Sequence, residues 1–211
     1  MARTFDAARR SALVAQTLEL LRARRLGRLT MSELASELGV KRPTLYFYFR
    51  DLSGLLLAAV EEVYRAYALH IASRLAPIDH PIEALGELAR ATVEYQRERR
   101  DLVILLFQLW AAGDTDPELL LARSRAAGQV LRADLVSRLR AGIERGVVAP
   151  CDPERTVDLV LTVLDGTVVA AVTGSGAPAA AVEELWRQVL APLIVNPAAR
   201  RRARRPTRGP A

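Results

Sequence analysis
A chain of 211 residues with 51% hydrophobic side chains is too apolar for disorder, and is long enough for one large domain or a small one beside a larger one. Its single cysteine, Cys151 in a loop between Pro150 and Asp152, excludes an intramolecular disulfide and suits a reducing cytoplasm. Residues 1–55 carry ten Lys or Arg against five acids, 56–195 fourteen against nineteen, and 196–211 six against none, so a basic end suited to phosphates sits on an acidic body.

From Asp6 to Arg25 the apolar residues Leu13, Val14, Leu18 and Leu21 recur at helical spacing, with Arg9, Arg10, Arg22 and Arg24 on the other face. Arg3, Arg9 and Arg10 are within reach of a DNA backbone, and together with Asp6 they interrupt any apolar signal run. Gly27 closes this helix. Thr30 or Ser32 can cap the next one, and a hydroxyl at a helix start can also donate to a phosphate.

Leu34 and Leu38 stack on one face of that short second helix, and Ala35 leaves room for a crossing backbone. Gly39 supplies the left-handed residue that ends it, and Val40 folds back onto its apolar face. Pro43 suits the first turn of a third helix, which begins near Arg42 and turns Leu45 and Phe49 inward. The same spacing puts Thr44, Tyr46, Phe47 and Tyr48 on or beside the outer face, flanked by Lys41, Arg42 and Arg50. Two short helices joined by a glycine turn form a helix-turn-helix, whose second helix reads the major groove of double-stranded DNA.

The ordered string of Ala35, Gly39-Val40 and Thr44-Leu45-Tyr46-x-Tyr48-Phe49, with apolar helices before and after it, resembles the amino-terminal domain of the TetR family of transcriptional regulators. Three positions depart from the family pattern. Lys41 stands where serine or threonine commonly caps the reading helix, Phe47 where a polar residue is frequent, and Leu52 where a phosphate-contacting lysine often stands. The resemblance implies a one-component repressor that works as a homodimer and is released from DNA by a small-molecule effector.

Beyond Phe49 the chain keeps helical period. Asp51 or Ser53 begins a helix through Leu56, Val60, Val63, Tyr67 and Ile71 that Pro77 ends. Further helices are expected from Ile82 to about Arg99, Leu102 to Trp110, Glu118 to about Arg145, Glu154 to Thr173 and Val182 to Val195, with breaks at 76–81, 113–117, 150–153 and 174–178. The most apolar stretch, Leu159 to Val172, is shorter than the ~20 residues of a membrane span and contains Asp165, so it reads as a buried helix and no membrane role is expected. The last two helices carry more apolar surface than one subunit need cover. Leu161, Leu164, Val168, Leu185, Trp186 and Val189 are the expected dimer interface.

The expected fold is therefore all-α, with about nine helices. It comprises a helix-turn-helix domain at 1–52, a helical ligand-binding and dimerisation domain at 53–195, and a basic tail at 196–211 that either adds salt-sensitive affinity for DNA or is merely solvated. The DNA-binding set is Thr30, Ser32, Lys41, Arg42, Pro43, Thr44, Tyr46, Phe47, Tyr48 and Arg50, and a dimer would read a palindromic operator. No phosphate loop, serine elbow or metal-ligand spacing is present, so no catalytic residue, metal or cofactor is expected. Tyr67, Tyr95, Phe107, Gln108, Trp110 and Asp165 mix aromatic surface with a few polar groups as an effector cavity would, although such aromatics also serve as plain core. A constitutive or architectural DNA-binding protein would use the same motif without an effector, and an all-helical enzyme would need a titratable cluster.

Overall fold
The computed structural model describes residues 5–23, 30–111 and 117–195, and between 107 and 127 only the backbone. Arg3, Arg24, Gly27, the side chains of Phe107, Gln108 and Trp110, and the arginine-rich tail fall outside that description. The chain divides into two compact units, one of residues 1–69 with 99–125 and the other of 70–98 with 126–211. The division differs from the boundary expected at residue 52.

The first unit holds α1 (Ala7–Ala23), α2 (Met31–Glu37), α3 (Arg42–Tyr48), most of α4 (Leu52–Leu75) and α6 (Arg100–Ala111). Local chemistry sets these boundaries. Thr30 and Glu33 form a reciprocal capping box at the start of α2, the Thr30 hydroxyl accepting from the Glu33 amide and the Glu33 carboxylate accepting from the Thr30 amide. Gly39, at φ 64°, ends α2: its amide donates to Ser36 O at 3.2 Å and the Val40 amide to Ala35 O at 2.9 Å, the paired bonds of a Schellman turn. Asp51 caps α4 by accepting from the Gly54 amide at 2.8 Å.

Two apolar clusters fill this unit. One gathers Leu13 and Val14 of α1, Met31, Leu34 and Ala35 of α2, Leu45 and Phe49 at α3, and Leu55, Ala58 and Ala59 of α4. The other joins Leu21 to Leu56, Val60 and Val63 of α4 and to Leu102 and Leu105 of α6, which explains why α6 and most of α4 belong with the DNA-binding helices. Across it the Arg22 guanidinium of α1 donates to Asp101 of α6 at 2.5 Å.

The second unit contains α5 (Pro81–Glu98), most of α7 (Pro117–Glu144), α8 (Pro153–Thr173) and α9 (Pro178–Leu185). The inward stripe of α5, with Ile82, Leu85, Leu88, Ala89 and Thr92 all buried, packs on α8 and α9. Gly86 is required there: a Cβ at this position would lie 2.5 Å from the Trp186 ring, which the bare backbone admits. Asp152 caps α8 and Gly174, at φ 70°, ends it, while Arg132 holds Asp158 bidentately at 2.6 and 2.8 Å and Arg140 pairs with Glu154.

The last helix differs from its expected span of Val182 to Val195. It begins at Pro178, passes into a π turn at Trp186–Leu190 and a 3-10 turn at Ala191–Leu193, and then leaves helical geometry. Pro192 has no amide to donate, so the α-helical ladder cannot continue through it. Val195 instead donates to Val147 O and Ala149 to Leu193 O, tying the segment to the α7–α8 connection.

A second correction concerns α8, which is not a buried helix. By length and composition it could cross a membrane, with mean hydropathy 1.7 over its most apolar window, yet only 22% of that window is buried. Val157, Val160, Leu164 and Thr167 face inward, and an opposite stripe of Leu159, Thr162, Asp165, Gly166 and Val169 is exposed.

Candidate nucleic-acid interface
The inward anchors Leu45 and Phe49, 0% and 3% exposed, fix the rotation of α3. Its other side then turns outward. Lys41, Arg42, Pro43, Tyr46, Phe47 and Arg50 are exposed, with large rings uncovered at Tyr46 (43%) and Phe47 (38%). Lys41 occupies the cap position without a side-chain cap, and its carbonyl accepts from the Thr44 amide at 2.7 Å instead. Its ammonium therefore has no part in capping the helix.

The Arg42 guanidinium lies over the Tyr46 ring at 5.4 Å and donates to its hydroxyl at 3.3 Å, so cation and phenol form one polar edge. Phe47 and Tyr48 meet edge to face at 5.0 Å, and Tyr48 is half-buried against Phe5, 5.7 Å away. Arg10 of α1 stacks over Phe49 at 5.0 Å, which holds a second cation beside the same helix. This surface can donate to phosphate oxygens, present hydroxyls to base edges and pack apolar rings on a thymine methyl.

Thr44 departs from its expected place. It is 7% exposed, because it lies four residues before the half-buried Tyr48 and so falls on the inward arc of α3. The Thr30 hydroxyl donates to Glu33 and accepts the Glu33 amide, which commits it to the cap, whereas Ser32 is exposed on the first turn of α2. Phe5 gives no local signal in the sequence as one aromatic ahead of a helix, and only packing on Tyr48 places it beside α3.

Two of the effector candidates with described side chains lie in different units. Tyr67 belongs to the first unit and is half-buried, whereas Tyr95 is buried in the second. Asp165 is on the exposed stripe of α8 rather than lining an interior, and partial desolvation by its apolar neighbours raises its pKa above the usual carboxylate value. Of the expected interface residues, Leu164 and Leu185 are buried within the unit, and Trp186 lies against Gly86 with Arg90 5.1 Å over its ring. Leu161, Val168 and Val189 are half-buried.

Comparison with known proteins gives this architecture a family. Residues 13–59 match the bacterial regulatory proteins of the tetR family, and residues 81–195 match the C-terminal domain of BetI-type transcriptional repressors. No curated protein sequence matches the chain. Among solved structures, a TetR transcription regulator from Haloarcula marismortui is similar, with 20% identity and a TM-score of 0.76 over 90% of this chain and 100% of that one. A protein of Saccharomonospora viridis in complex with choline shares 18% identity and a TM-score of 0.72, over 90% and 100% of the two chains. A TetR-family protein from a Rhodococcus species gives 18% and 0.68, over 87% and 99%. These likenesses establish the fold, and the sequence matches cover both the helix-turn-helix and more than half of the chain beyond it. The chain belongs to the TetR family of DNA-binding transcriptional regulators, a family of regulators and not of enzymes.

Proposed function
We propose that this regulator is a cytoplasmic repressor that binds a palindromic operator as a homodimer and is released by a small-molecule effector. The observation that carries the reading is the outer face of α3, where Arg42, Tyr46 and Phe47 stand exposed together and Lys41 and Arg50 flank them. Tyr46, with Tyr48 beside it, serves phosphates and base edges, Phe47 packs on thymine, and Lys41, Arg42, Arg50 and the exposed Ser32 position the domain.

Dimerisation is assigned to the exposed stripe of α8. Large apolar side chains there, Leu159 and Val169 at 43% and 50% exposure, lose contact with water if a second copy covers them. Asp165 moves with that stripe from the effector set to the interface. Two copies related by a two-fold axis present two α3 helices, which is why the operator is palindromic.

The effector reading is supported by the S. viridis protein, whose fold this chain shares and which holds choline. Tyr67, Tyr95, Phe107, Gln108 and Trp110 remain its aromatic and polar candidates here. To release DNA the effector must favour the state that cannot bind the operator, and a coupling of about 1–3 kcal/mol weakens operator binding about 5- to 150-fold.

The test is binding of the full chain to the DNA upstream of its own gene across a salt series, set against random duplex. Preferential binding that survives high salt supports specific regulation at that site. Equal affinity for both duplexes, with the same salt slope, removes it.

A further inference from the structure
Phe5 stands one residue ahead of Asp6, whose carboxylate caps α1 by accepting from the Arg9 amide at 3.1 Å. An apolar residue at that place commonly packs on the fourth residue of the helix it precedes, here Arg10. Arg10 is stacked over Phe49 at 5.0 Å, and the Phe5 ring meets Tyr48 of α3 instead, 5.7 Å away and tilted by 59°. With 59% of its surface open to water, Phe5 does little for the core of the unit. Its contact is with the reading helix.

That contact falls where α3 has least support of its own. The helix stops at Tyr48, and Phe49 is extended at φ −135° and ψ 125°. Phe47 and Tyr48 therefore lie in the last turn, without helical neighbours three and four residues further on to limit their rotamers. Phe47 gains a wall from the Tyr48 ring, which it meets edge to face at 5.0 Å. Tyr48 is half-buried, packed both on the cluster around Leu13 and Leu45 and against Phe5. Phe5, Tyr48 and Phe47 thus form a chain of ring contacts that leads from the start of α1 to the exposed face of α3.

We propose that Phe5 is a positioning residue for base recognition: through Tyr48 it holds the Phe47 ring ready to pack on a thymine methyl, and so sets how strongly the protein prefers thymine there. The inference rests on the reading of Phe47 given above and adds a residue from outside the helix-turn-helix. A C5 methyl offers only apolar contact in the major groove. It is read well by a ring already fixed in place and poorly by one that must be ordered as it binds. Phe5 itself need touch no base.

The experiment uses the full chain as wild type, Phe5→Ala, Phe5→Tyr and Phe47→Ala. The DNA is the operator that wild type enriches from random duplexes, with each thymine in turn replaced by deoxyuridine, which removes the methyl alone. Affinity for each duplex and melting temperature are measured. Wild type should lose about fourfold at one thymine of a half-site, the worth of one buried methyl, and Phe47→Ala should bind both duplexes alike. Phe5→Ala should lose most of that preference while binding the uracil duplex as wild type does. It should also melt with wild type, because its ring is mostly in water. Phe5→Tyr, which keeps the ring, should keep the preference.

A Phe5→Ala chain that keeps the wild-type preference, weakens on thymine and uracil duplexes alike, or melts well below wild type overturns the positioning role and leaves the reading of Phe47 standing. Loss of the preference in Phe5→Tyr overturns it too, since the ring would then not be the cause. If wild type prefers the methyl at no thymine, or Phe47→Ala keeps the preference, the thymine reading of Phe47 falls and the inference with it.

Discussion
The outer faces of α3 and α8 leave large side chains equally open to water, and their surroundings give that exposure opposite meanings. On α3, Tyr46 and Phe47 at 43% and 38% stand among Lys41, Arg42 and Arg50. On α8, Leu159 and Val169 at 43% and 50% stand with Thr162, Gly166 and Asp165. Rings among cations suit a polyanion with flat bases, whereas aliphatic side chains around a glycine suit another apolar helix at close range. Exposure alone marks a surface as awaiting a partner, and the neighbouring charge says which kind.

The largest effect is expected where the inner anchor of α3 is removed. Leu45→Ala empties a fully buried site and should cost about 2–5 kcal/mol, read by urea unfolding, with loss of DNA binding because α3 no longer keeps its rotation. Next in size is Leu159→Glu with Val169→Glu, which should give a monomer by sedimentation at micromolar concentration and weaken operator binding, while the helical signal in circular dichroism stays unchanged. A variant that remains dimeric would show that the α8 stripe is not the interface.

Smaller effects separate reading from folding on the α3 side. Tyr46→Ala should weaken operator binding by about 1–3 kcal/mol with little change in melting temperature, because its ring is half in water. Thr30→Ala should do the reverse, costing about 1 kcal/mol of stability through loss of the capping box and leaving sequence preference intact.

The smallest effect belongs to Asp165 and carries a sign. Desolvation raises its folded-state pKa, so the folded chain holds the proton more tightly than the unfolded one. Stability should fall as pH rises from 3.8, the ordinary value, through the raised one, and stay lower at neutral pH. Asp165→Asn should then melt slightly above wild type at pH 7, the difference closing in acid, as a thermal melt at several pH values will show.

What the sequence made legible is what short-range chemistry decides. Gly39 with Val40 and Pro43 after it set the helix-turn-helix within two residues, because a left-handed glycine and a proline act on their own backbone. Spacing puts Thr44 on or beside the outer face of α3, whereas the inward arc of this seven-residue helix takes both adjacent positions, 44 and 45, and only packing reveals its width. The end of α9 was overrun because apolar spacing continued through Pro192, whose missing amide outweighs the pattern.

On α8 the failure has a different cause. Its valines, leucines and alanines surround the helix, so periodicity cannot choose which side meets α5, and Val169, outside the expected interface set, lies on the exposed stripe.

Selecting binding sites from a random duplex library with wild type and Tyr46→Ala in parallel measures whether a pair of α3 helices recognises DNA. Wild type should enrich a two-fold symmetric sequence, and Tyr46→Ala should enrich it weakly or lose it. Enrichment of no symmetric sequence by wild type, or of the same one at equal strength by both proteins, would contradict that recognition.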